Sequence, residues 1–330
     1  MLAPRKLYTE MIGKLDPEAL GLVLSRTGAS DDDVLVGPRY GEDAAALRVG
    51  DETLVVSSDP LSLARKRLGS LAVDVACNDV AACGANPRWL TNVIFLPDDD
   101  PETLDAVTGQ IDAAAESLGV SVVGGHAEYA PDLSRPTVSM TCMGLADEFV
   151  PTGGVNPGDH LVLTKGAGIE GTAILATDFR DELGEVADEH VERAERFFDE
   201  ISVVPDANVL REYATAMHDP TEGGVVSGLL EMASVAGLRL AIDRDAVPVR
   251  EPTRRLCDAM GVDPLSIFGS GALLAAVPED RVETALTALD EAGIDAADVG
   301  RAVDADQSAL AIDGEELREP PRDDLYALWE

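Results

Sequence analysis

Residues 68–87 read LGSLAVDVACNDVAACGANP, and this stretch predicts a helix at the centre of the fold. Its small and apolar residues recur at helical spacing, and a glycine and a proline mark its end. Asn78 and Asp79 interrupt the apolar pattern. Burying an amide and a carboxylate costs several kcal/mol unless they are paired or liganded. The two side chains therefore face solvent on an ordinary amphipathic helix, or they serve a site inside the protein.

Composition and charge exclude several functional classes. The chain has 330 residues, 45% of them hydrophobic, which suits two domains with separate cores. Lys and Arg number 25 and Asp and Glu 62, so the formal net charge is −37. Such a charge repels nucleic acid and anionic membranes, and we expect neither as a partner. Because the acidic residues are spread along the chain, they indicate a halophilic protein from a salt-rich cytoplasm.

Cysteine usage and hydropathy also favour a cytoplasmic location. The four cysteines form no C-x-x-C pair, which argues against a zinc knuckle and against a disulfide framework. The N-terminus MLAPRKLYTEM has no apolar signal segment, and no run approaches the ~18 apolar residues of a membrane span.

The order of predicted elements favours a mixed α/β, or α+β, fold. Around the central helix, the first half contains a strand ending at Asp59, a strand WLTNVIFLP, a helix Pro101–Leu118, a buried strand VSVVGG and a strand TVSMTCMG. Strands and helices that alternate in this way place the helices on one face of a sheet.

A turn divides the chain into two predicted domains. The turn chemistry of NPGD at residues 156–159 separates an N-terminal domain, residues 1–155, from a C-terminal domain, residues 156–330. The second domain begins with the strand HLVLT. We predict helices near 185–199, 205–216, 221–236 and 251–261, and strands at LRLAID, ALLAAVP and 308–312.

Three aspartates are candidate metal ligands. Asp43 in GEDAAAL, Asp59 at the end of VVSSDP and Asp79 in the central helix lie at a strand end, in a glycine-flanked loop or on a small-residue helix. Oxygen ligands from separate segments are what Mg²⁺ on nucleotide phosphates requires. In a chain with 62 acidic residues, the alternative is that these carboxylates are simply solvated.

A Gly-Gly pair predicts a second part of the site. Gly124 and Gly125 follow the strand VSVV, and a backbone turn there would place His126 and Glu128 at the mouth of the sheet. A lone histidine is more often structural, but this position makes His126 a candidate catalytic residue.

The segment after HLVLT matches a phosphate-binding pattern. Gly166, Gly168 and Gly171 fit G-x-G-x-x-G and open a predicted helix. The acidic strand end of a dinucleotide-binding fold is missing, so nicotinamide binding is disfavoured. We instead predict a helix N-terminus that faces phosphate, with Lys165 as a phosphate contact.

His218 and Asp219 form a candidate catalytic pair in HDPTEGG. Helix capping accounts for the proline and the threonine that follow them, but not for the adjacent His and Asp. Asp219 could orient His218, or it could accept a proton from an attacking group.

With these segments in order, the chain resembles the superfamily of aminoimidazole-ribonucleotide synthetase (PurM), thiamine-monophosphate kinase, selenophosphate synthetase and the hydrogenase-maturation factor HypE. It is most similar to HypE and to archaeal HypE-like proteins. The resemblance runs nearly end to end and rests on GEDAAAL, VVSSDP, NDVAACGANP, VVGGHAEYAP, LTKGAGIEGTAIL, HDPTEGGVVSGLLEMA and VPVREPTRRLCDAMGVDPL.

The resemblance implies a PurM-like homodimer in which two N-terminal sheets close into a barrel, so that no sheet edge stays exposed. It implies ATP in a cleft between the domains, its phosphates on Mg²⁺ held by Asp43, Asp59 and Asp79, with Asn78 orienting Asp79 or reaching a phosphate. The implied reaction is attack on ATP by an amide, acyl or hydroxyl oxygen. The implied partners are a small-molecule or carbamoyl-type acceptor and a maturation partner protein.

The sequence departs from its relatives at two places. HypE ends in Pro-Arg-x-Cys, whereas Pro321 and Arg322 here are followed by DDLYALWE, so the implied acceptor is not a C-terminal thiol. Thiamine-monophosphate kinases carry an acid where His126 stands and D-I-S-D-G in place of HDPTEGG. An ATP-dependent HypE-like enzyme is therefore the leading hypothesis, ahead of a thiamine-monophosphate-type kinase and a non-catalytic nucleotide-binding scaffold.

Overall fold

The computed structural model describes residues 13–15, 17–62, 64, 66–184 and 186–329. These residues form two β-sheets with accompanying helices, and the chain passes from one sheet to the other between Ala146 and His160. The mixed α/β fold predicted from the sequence is confirmed. No helix in the described ranges is both long and apolar enough to cross a bilayer.

The N-terminal unit contains a six-stranded mixed sheet. Its elements are α1 (Pro17–Leu24), β1 (Val34–Val36), β2 (Ala45–Val49), β3 (Glu52–Leu61), α2 (Leu68–Ala82), β4 (Asn86–Leu96), α3 (Pro101–Leu118), β5 (Ser121–Tyr129) and β6 (Thr137–Ala146). The strand order is β1-β2-β3-β6-β4-β5, and all neighbours are antiparallel except β4 and β5.

Helix α3 has the predicted bounds because its two ends are specified locally. The Asp100 side chain accepts hydrogen bonds from the N–H groups of Glu102 and Thr103, both at 3.2 Å. Gly119 adopts a left-handed conformation at the other end, with φ 69°. An N-cap aspartate followed by proline, and a C-terminal glycine, are the signals expected for such a helix.

Helix α2 is buried and lies at the centre of the N-terminal unit. It packs against α3, β3, β4 and β6, and 13 of its 15 residues are buried. Val80 lies so close to Gly144 of β6 that a Cβ atom on Gly144 would overlap it. Asn78 and Asp79 are buried with the rest of the helix, so a solvent-facing role for them is excluded.

Strand β5 differs from the prediction of a buried strand that turns at Gly124 and Gly125. It continues through both glycines to Tyr129, and all nine of its residues are exposed. The strand lies at the edge of the sheet and is paired with β4 on one side. The run VSVV is apolar, but no other element of the described chain covers it. Sequence periodicity alone does not show whether an apolar strand is covered.

The C-terminal unit contains a seven-stranded sheet in the order β13-β12-β9-β11-β7-β10-β8, with only β12 and β9 parallel. Its elements are β7 (His160–Thr164), α4 (Ile169–Asp178), α5 (Asp188–Glu195), α6 (Val204–Leu210), β8 (Ala216–His218), α7 (Gly224–Ala236), β9 (Arg239–Ile242), α8 (Glu251–Met260), β10 (Leu274–Val277), α9 (Val282–Glu291), β11 (Ala296–Val303), β12 (Ala309–Ile312), β13 (Glu315–Leu317) and α10 (Tyr326–Trp329).

Several elements of this unit were not predicted. The helix expected over residues 205–216 ends at Leu210. Ala216, the last residue of that predicted helix, instead begins β8, which pairs with β10. Helix α9 and strand β11 were also missed. Strand β11 contains Asp298, Gly300 and Arg301, and its register with β7 shifts between Asp298 and Gly300. Its sequence therefore lacks the regular apolar alternation by which a strand is predicted.

The buried side chain of Asn78 joins the two units. Its Nδ2 group donates to the Ile201 carbonyl at 2.9 Å, and its Oδ1 atom accepts from the Val203 N–H at 2.8 Å. Asn86 makes a comparable link at the surface, where its Oδ1 atom accepts from Arg211 Nη1 at 2.9 Å. The two asparagines thus connect the same units in buried and exposed surroundings.

We expect Asn78→Leu to lower the free energy of unfolding by about 2–4 kcal/mol, because it leaves a buried N–H and a buried carbonyl without partners. The matched control Asn86→Leu should cost less than about 0.5 kcal/mol, since Arg211 can turn to water. Urea denaturation in molar KCl measures both values. Equal losses for the two variants would contradict this explanation.

Candidate functional site

Four aspartates from both units meet at one place. Asp43 precedes β2, Asp59 lies on β3, Asp79 lies on α2, and Asp219 follows β8. Asp79 and Asp219 are buried, with 6% and 2% of their surface exposed. The Ser57 hydroxyl donates to Asp79 Oδ2 at 2.6 Å, and the Asp219 N–H donates to Asp43 Oδ2 at 3.3 Å. We call these four aspartates the carboxylate cluster.

The members of the carboxylate cluster repel one another. Burial raises the pKa of Asp79 well above its ordinary value, and the neighbouring Asp59 carboxylate raises it further. Burial and the Asp43 carboxylate likewise raise the pKa of Asp219. Both carboxylate oxygens of Asp219 are buried without a hydrogen-bond partner. Such atoms are rare in folded proteins and point to a ligand or to a catalytic role.

The carboxylate oxygens of this cluster are of the type that Mg²⁺ takes as ligands. Within the described ranges, no three His, Cys, Asp or Glu side chains are placed so that they could hold a metal ion by themselves. Mg²⁺, however, usually takes only one or two carboxylates and completes its shell with phosphate oxygens and water. A cation here would reduce the repulsion on Asp79. It would also neutralise the two buried Asp219 oxygens, which have no hydrogen-bond partner.

His218 lies beside the carboxylate cluster as a paired cation. Its Nδ1 atom is 2.7 Å from Asp43 Oδ1, and its Nε2 atom is 2.9 Å from Glu231 Oε2. Burial opposes the charged imidazolium, but the two carboxylates outweigh burial and raise the pKa to about 10. An imidazolium that already holds both protons cannot accept another one. His218 therefore lies as a positioning group between Asp43 and Glu231, and its predicted catalytic role stays a prediction.

Three further residues at the site were not predicted: Lys14, Glu222 and Glu231. Lys14 Nζ donates to Thr221 Oγ1 at 2.9 Å and lies 3.4 Å from Glu222 Oε2 and 3.7 Å from Glu231 Oε1. Burial alone would raise the pKa of Glu231, but Lys14 and His218 lower it to about 2. A charged residue inside the apolar helix GVVSGLLEMASVA was the available sequence signal for Glu231.

The glycine-rich start of α4 is occupied by protein. The N–H groups of Glu170 and Gly171 donate to backbone carbonyls in the segment 268–270, at 3.1 and 2.9 Å. A Cβ atom on Gly168 would contact the Ile267 side chain. Gly166 and Gly168 therefore permit close packing of the chain, and the predicted contact of this helix with phosphate has no support in the geometry.

Lys165 is likewise engaged inside the protein. Its Nζ atom donates to the Ser202 and Glu200 carbonyls at 2.7 and 3.2 Å and lies 3.2 Å from Asp206 Oδ2. The Asp206 side chain is 1% exposed. Lys165 holds the segment before α6, so it is not placed as the free phosphate contact that was predicted.

Asn78 binds the backbone of the C-terminal unit, and His126 lies away from its predicted position at the mouth of the sheet. Both ends of the Asn78 amide bind the backbone at residues 201–203, which fixes α2 and thereby Asp79. His126 lies on the exposed strand β5, and its Nε2 atom is 3.3 Å from Glu128 Oε2. Gly124 and Gly125 place it along a sheet edge rather than at a strand end. No contact in the described part of the chain joins His126 to the carboxylate cluster.

Comparison with known proteins identifies the family. Sequence models of the AIR synthase related protein match both halves of the chain, the N-terminal domain over residues 41–146 and the C-terminal domain over residues 156–313. The chain belongs to the AIR synthase related family. The predicted PurM-like superfamily is thus confirmed.

A curated relative and two solved structures resemble most of the chain. Carbamoyl dehydratase HypE of Azotobacter vinelandii is 31% identical over 269 residues, which cover 75% of this chain and 74% of the relative. The structure of AaThiL complexed with AMPPCP and TMP has a TM-score of 0.76 at 19% identity, covering 96% of this chain and 98% of that one. A HypE–HypF complex structure gives a TM-score of 0.75 at 23% identity, covering 93% and 100%. At 19% and 23% identity, these two structures show only that this chain shares their fold.

In the metal-free protein, Asp219→Asn should raise the free energy of unfolding at pH 7 by about 1–3 kcal/mol, because an amide replaces a buried charge. The folded protein binds the Asp219 proton more tightly than the unfolded chain does. Wild-type stability therefore falls as the pH rises from about 4 through the raised pKa, and the advantage of the variant should vanish near pH 4.

Urea denaturation in EDTA and molar KCl between pH 4 and pH 8 measures this difference. The exposed Asp32→Asn serves as the control and should leave stability unchanged at every pH. A gain for Asp219→Asn that does not depend on pH, or a loss at pH 7, would show that the buried charge is not the cause.

Proposed function

We propose that this protein is an ATP-dependent, Mg²⁺-using enzyme of the HypE type that activates an amide, carbamoyl or related acceptor. The observation that carries the proposal is the unpartnered Asp219 carboxylate, buried beside Asp43 and Asp79 where the two units meet. The similarity to carbamoyl dehydratase HypE supports this substrate class, and the AMPPCP complex of a protein with the same fold supports a triphosphate ligand.

The proposed reaction needs a nucleophilic oxygen and a proton acceptor. The acceptor oxygen attacks the terminal phosphorus of ATP; an O–P bond forms, the bond to the bridging oxygen breaks, and ADP leaves. For a carbamoyl or amide acceptor, loss of the N–H protons and of phosphate then yields a nitrile, so that water is removed overall. Mg²⁺ held near Asp43, Asp59 and Asp79 would supply charge neutralisation for the phosphates.

Asp219 is our candidate for the proton acceptor in this reaction. Its buried oxygens have no hydrogen-bond partner of good geometry, and burial next to Asp43 raises its affinity for a proton more than His218 and Asn78 lower it. His218, held by Asp43 and Glu231, fixes the position of Asp43. The stabilising Asp219→Asn change should accordingly abolish turnover.

A maturation partner protein is part of the proposal. The HypE–HypF complex contains a chain with the same fold as this protein. This similarity supports a partner protein that delivers the acceptor group. Without such a partner, a free carbamoyl compound is the substrate to test first.

We expect Mg²⁺-dependent binding of ATP, measured by isothermal titration in molar KCl, and a loss of at least about tenfold in affinity for Asp79→Asn. The exposed Asp112→Asn on α3 is the matched control and should bind like wild type. Phosphate release should depend on a carbamoyl compound. Steady turnover of thiamine monophosphate would favour a small-molecule kinase instead, and no binding of ATP by wild type would favour a non-catalytic scaffold.

We further propose that the protein is a homodimer joined along β5. This edge strand exposes Val122, Val123 and Tyr129 by 44%, 57% and 61% of their surface. An open edge strand of nine exposed residues, three of them large and apolar, invites pairing with another strand, and a two-fold axis would pair it with its own copy. The His126–Glu128 pair would then lie at the interface.

Val123→Glu should convert the dimer to a monomer, because it places a carboxylate at the proposed interface in both copies. Val49→Glu on β2, where the valine is 55% exposed, is the matched control and should remain a dimer. Size-exclusion chromatography with light scattering in molar KCl distinguishes the two. A wild-type monomer at micromolar concentration, or a dimer that survives Val123→Glu, would contradict the proposal.

A further inference from the structure

Asp219 lies at the start of a tight turn that leads into α7. The Gly224 N–H donates to the Thr221 carbonyl at 3.0 Å, and this bond closes the turn. Gly223 has φ 75° and Gly224 has φ 59°, values that L side chains rarely adopt. Gly223 is the N-cap residue of α7, and it has no side chain with which to cap the helix. The position of Asp219 therefore depends on what holds this turn from outside.

Asp323 supplies the missing cap from a position one hundred residues further along the chain. Its Oδ2 atom accepts from the Gly223 N–H at 2.7 Å, and its Oδ1 atom accepts from the Leu325 N–H at 2.9 Å. Asp323 is 3% exposed, and Leu325 is completely buried. A Cβ atom on Gly223 would also lie only 3.2 Å from the Pro321 carbonyl oxygen. The segment 321–326 thus lies directly against the turn.

The segment 321–326 is anchored by contacts that do not involve the turn. Asp324 Oδ2 accepts from the Asp263 N–H at 2.8 Å, and the Asp324 N–H donates to the Ser266 carbonyl at 3.1 Å. The Tyr326 ring is 3% exposed and makes an edge contact with Phe268, with centroids 5.6 Å apart. The carboxylate that caps α7 is therefore presented to the turn by a fixed part of the chain.

The turn is held from three sides. The Gly269 N–H donates to the Thr221 carbonyl at 2.9 Å, and the Asp219 N–H donates to Asp43 Oδ2 at 3.3 Å. Asp323 holds the third side through Gly223. The carboxylates of Asp219 and Asp43 repel each other inside the protein. A turn that lost one of its supports would therefore let the Asp219 carboxylate move toward water.

We propose that Asp323 is a positioning residue, which holds the turn so that the Asp219 carboxylate stays buried beside Asp43. This inference rests on the proposed role of Asp219 as the proton acceptor. It gives the segment 321–326 a part in building the site, through a bond to the backbone rather than through contact with a nucleotide or an acceptor.

A double-mutant cycle on stability tests the position of Asp219 without any ligand. In EDTA, the gain in stability from Asp219→Asn should fall to less than about half in the Asp323→Ala background, because the relaxed turn already lets the Asp219 carboxylate reach water. Asp323→Asn keeps an oxygen that can accept from the Gly223 N–H, so most of the gain should remain in that background. Urea denaturation at pH 7 in molar KCl measures the free energy of unfolding of each protein.

The matched control is Asp100→Ala, which removes the aspartate cap of α3. It should lower stability and leave the gain from Asp219→Asn unchanged. An equal gain in the Asp323→Ala and wild-type backgrounds would overturn the positioning role of Asp323. If Asp323→Ala does not fold in molar KCl, Asp323→Ser, with its shorter side chain, takes its place in the cycle.

Turnover gives a second readout. Asp323→Ala should lower kcat for carbamoyl-dependent release of phosphate by at least about tenfold and change the affinity for Mg²⁺ with ATP by less than about threefold, because the turn moves while Asp59 and Asp79 stay in place. Asp323→Asn should keep kcat within about threefold of wild type. Equal kcat values for the alanine and asparagine variants, or a parallel loss of affinity and kcat, would contradict the inference.

The two readouts separate this inference from the proposed function. A wild-type protein that turns over no carbamoyl compound would contradict the proposed reaction, and the stability cycle would still decide whether Asp323 positions Asp219. Turnover by the wild-type protein without coupling between the two residues in the cycle would contradict only the role of Asp323.

Discussion

Repulsion among buried carboxylates is the physical constraint on which the site depends. Asp79 comes from the N-terminal unit and Asp219 from the C-terminal unit, so docking the two units forces like charges together. Burying unpaired charge is costly, and proteins retain such arrangements where a ligand or a reaction uses them. The surrounding structure must therefore hold the units in contact against this repulsion.

Two polar links counter the repulsion in different ways. Asn78 ties α2 to the backbone at residues 201–203 through a neutral amide, which adds attraction between the units without adding charge. His218 acts by charge, because its imidazolium lies between Asp43 and Glu231 and neutralises part of the acidic surroundings. His218 and the Asn78 amide also lower the pKa of Asp219, but its two buried oxygens have no hydrogen-bond partner of good geometry, and this makes it the point where binding energy can be gained.

The sequence was informative wherever the signal was local or where a polar residue interrupted an apolar helix. Helix α3 has the predicted bounds because Asp100 and Gly119 specify both ends. The burial of Asn78 and Asp79 could be foreseen as one of two alternatives. The same signal at Glu231 was overlooked because it stands alone, and Lys14 carries no local signal, since its partners are more than two hundred residues away.

The sequence by itself determined the fold class, the family and the aspartates that gather at the domain junction, because segment order and helix or strand periodicity are written along the chain. The tertiary structure decided which polar groups are already bound to other groups inside the protein. Lys165, Gly166, Gly168 and Asn78 have residue types that suit phosphate, yet their partners are carbonyls, amides, side chains and packed neighbours from distant segments. Whether a donor is free depends on what folds against it, and only the folded chain supplies that information.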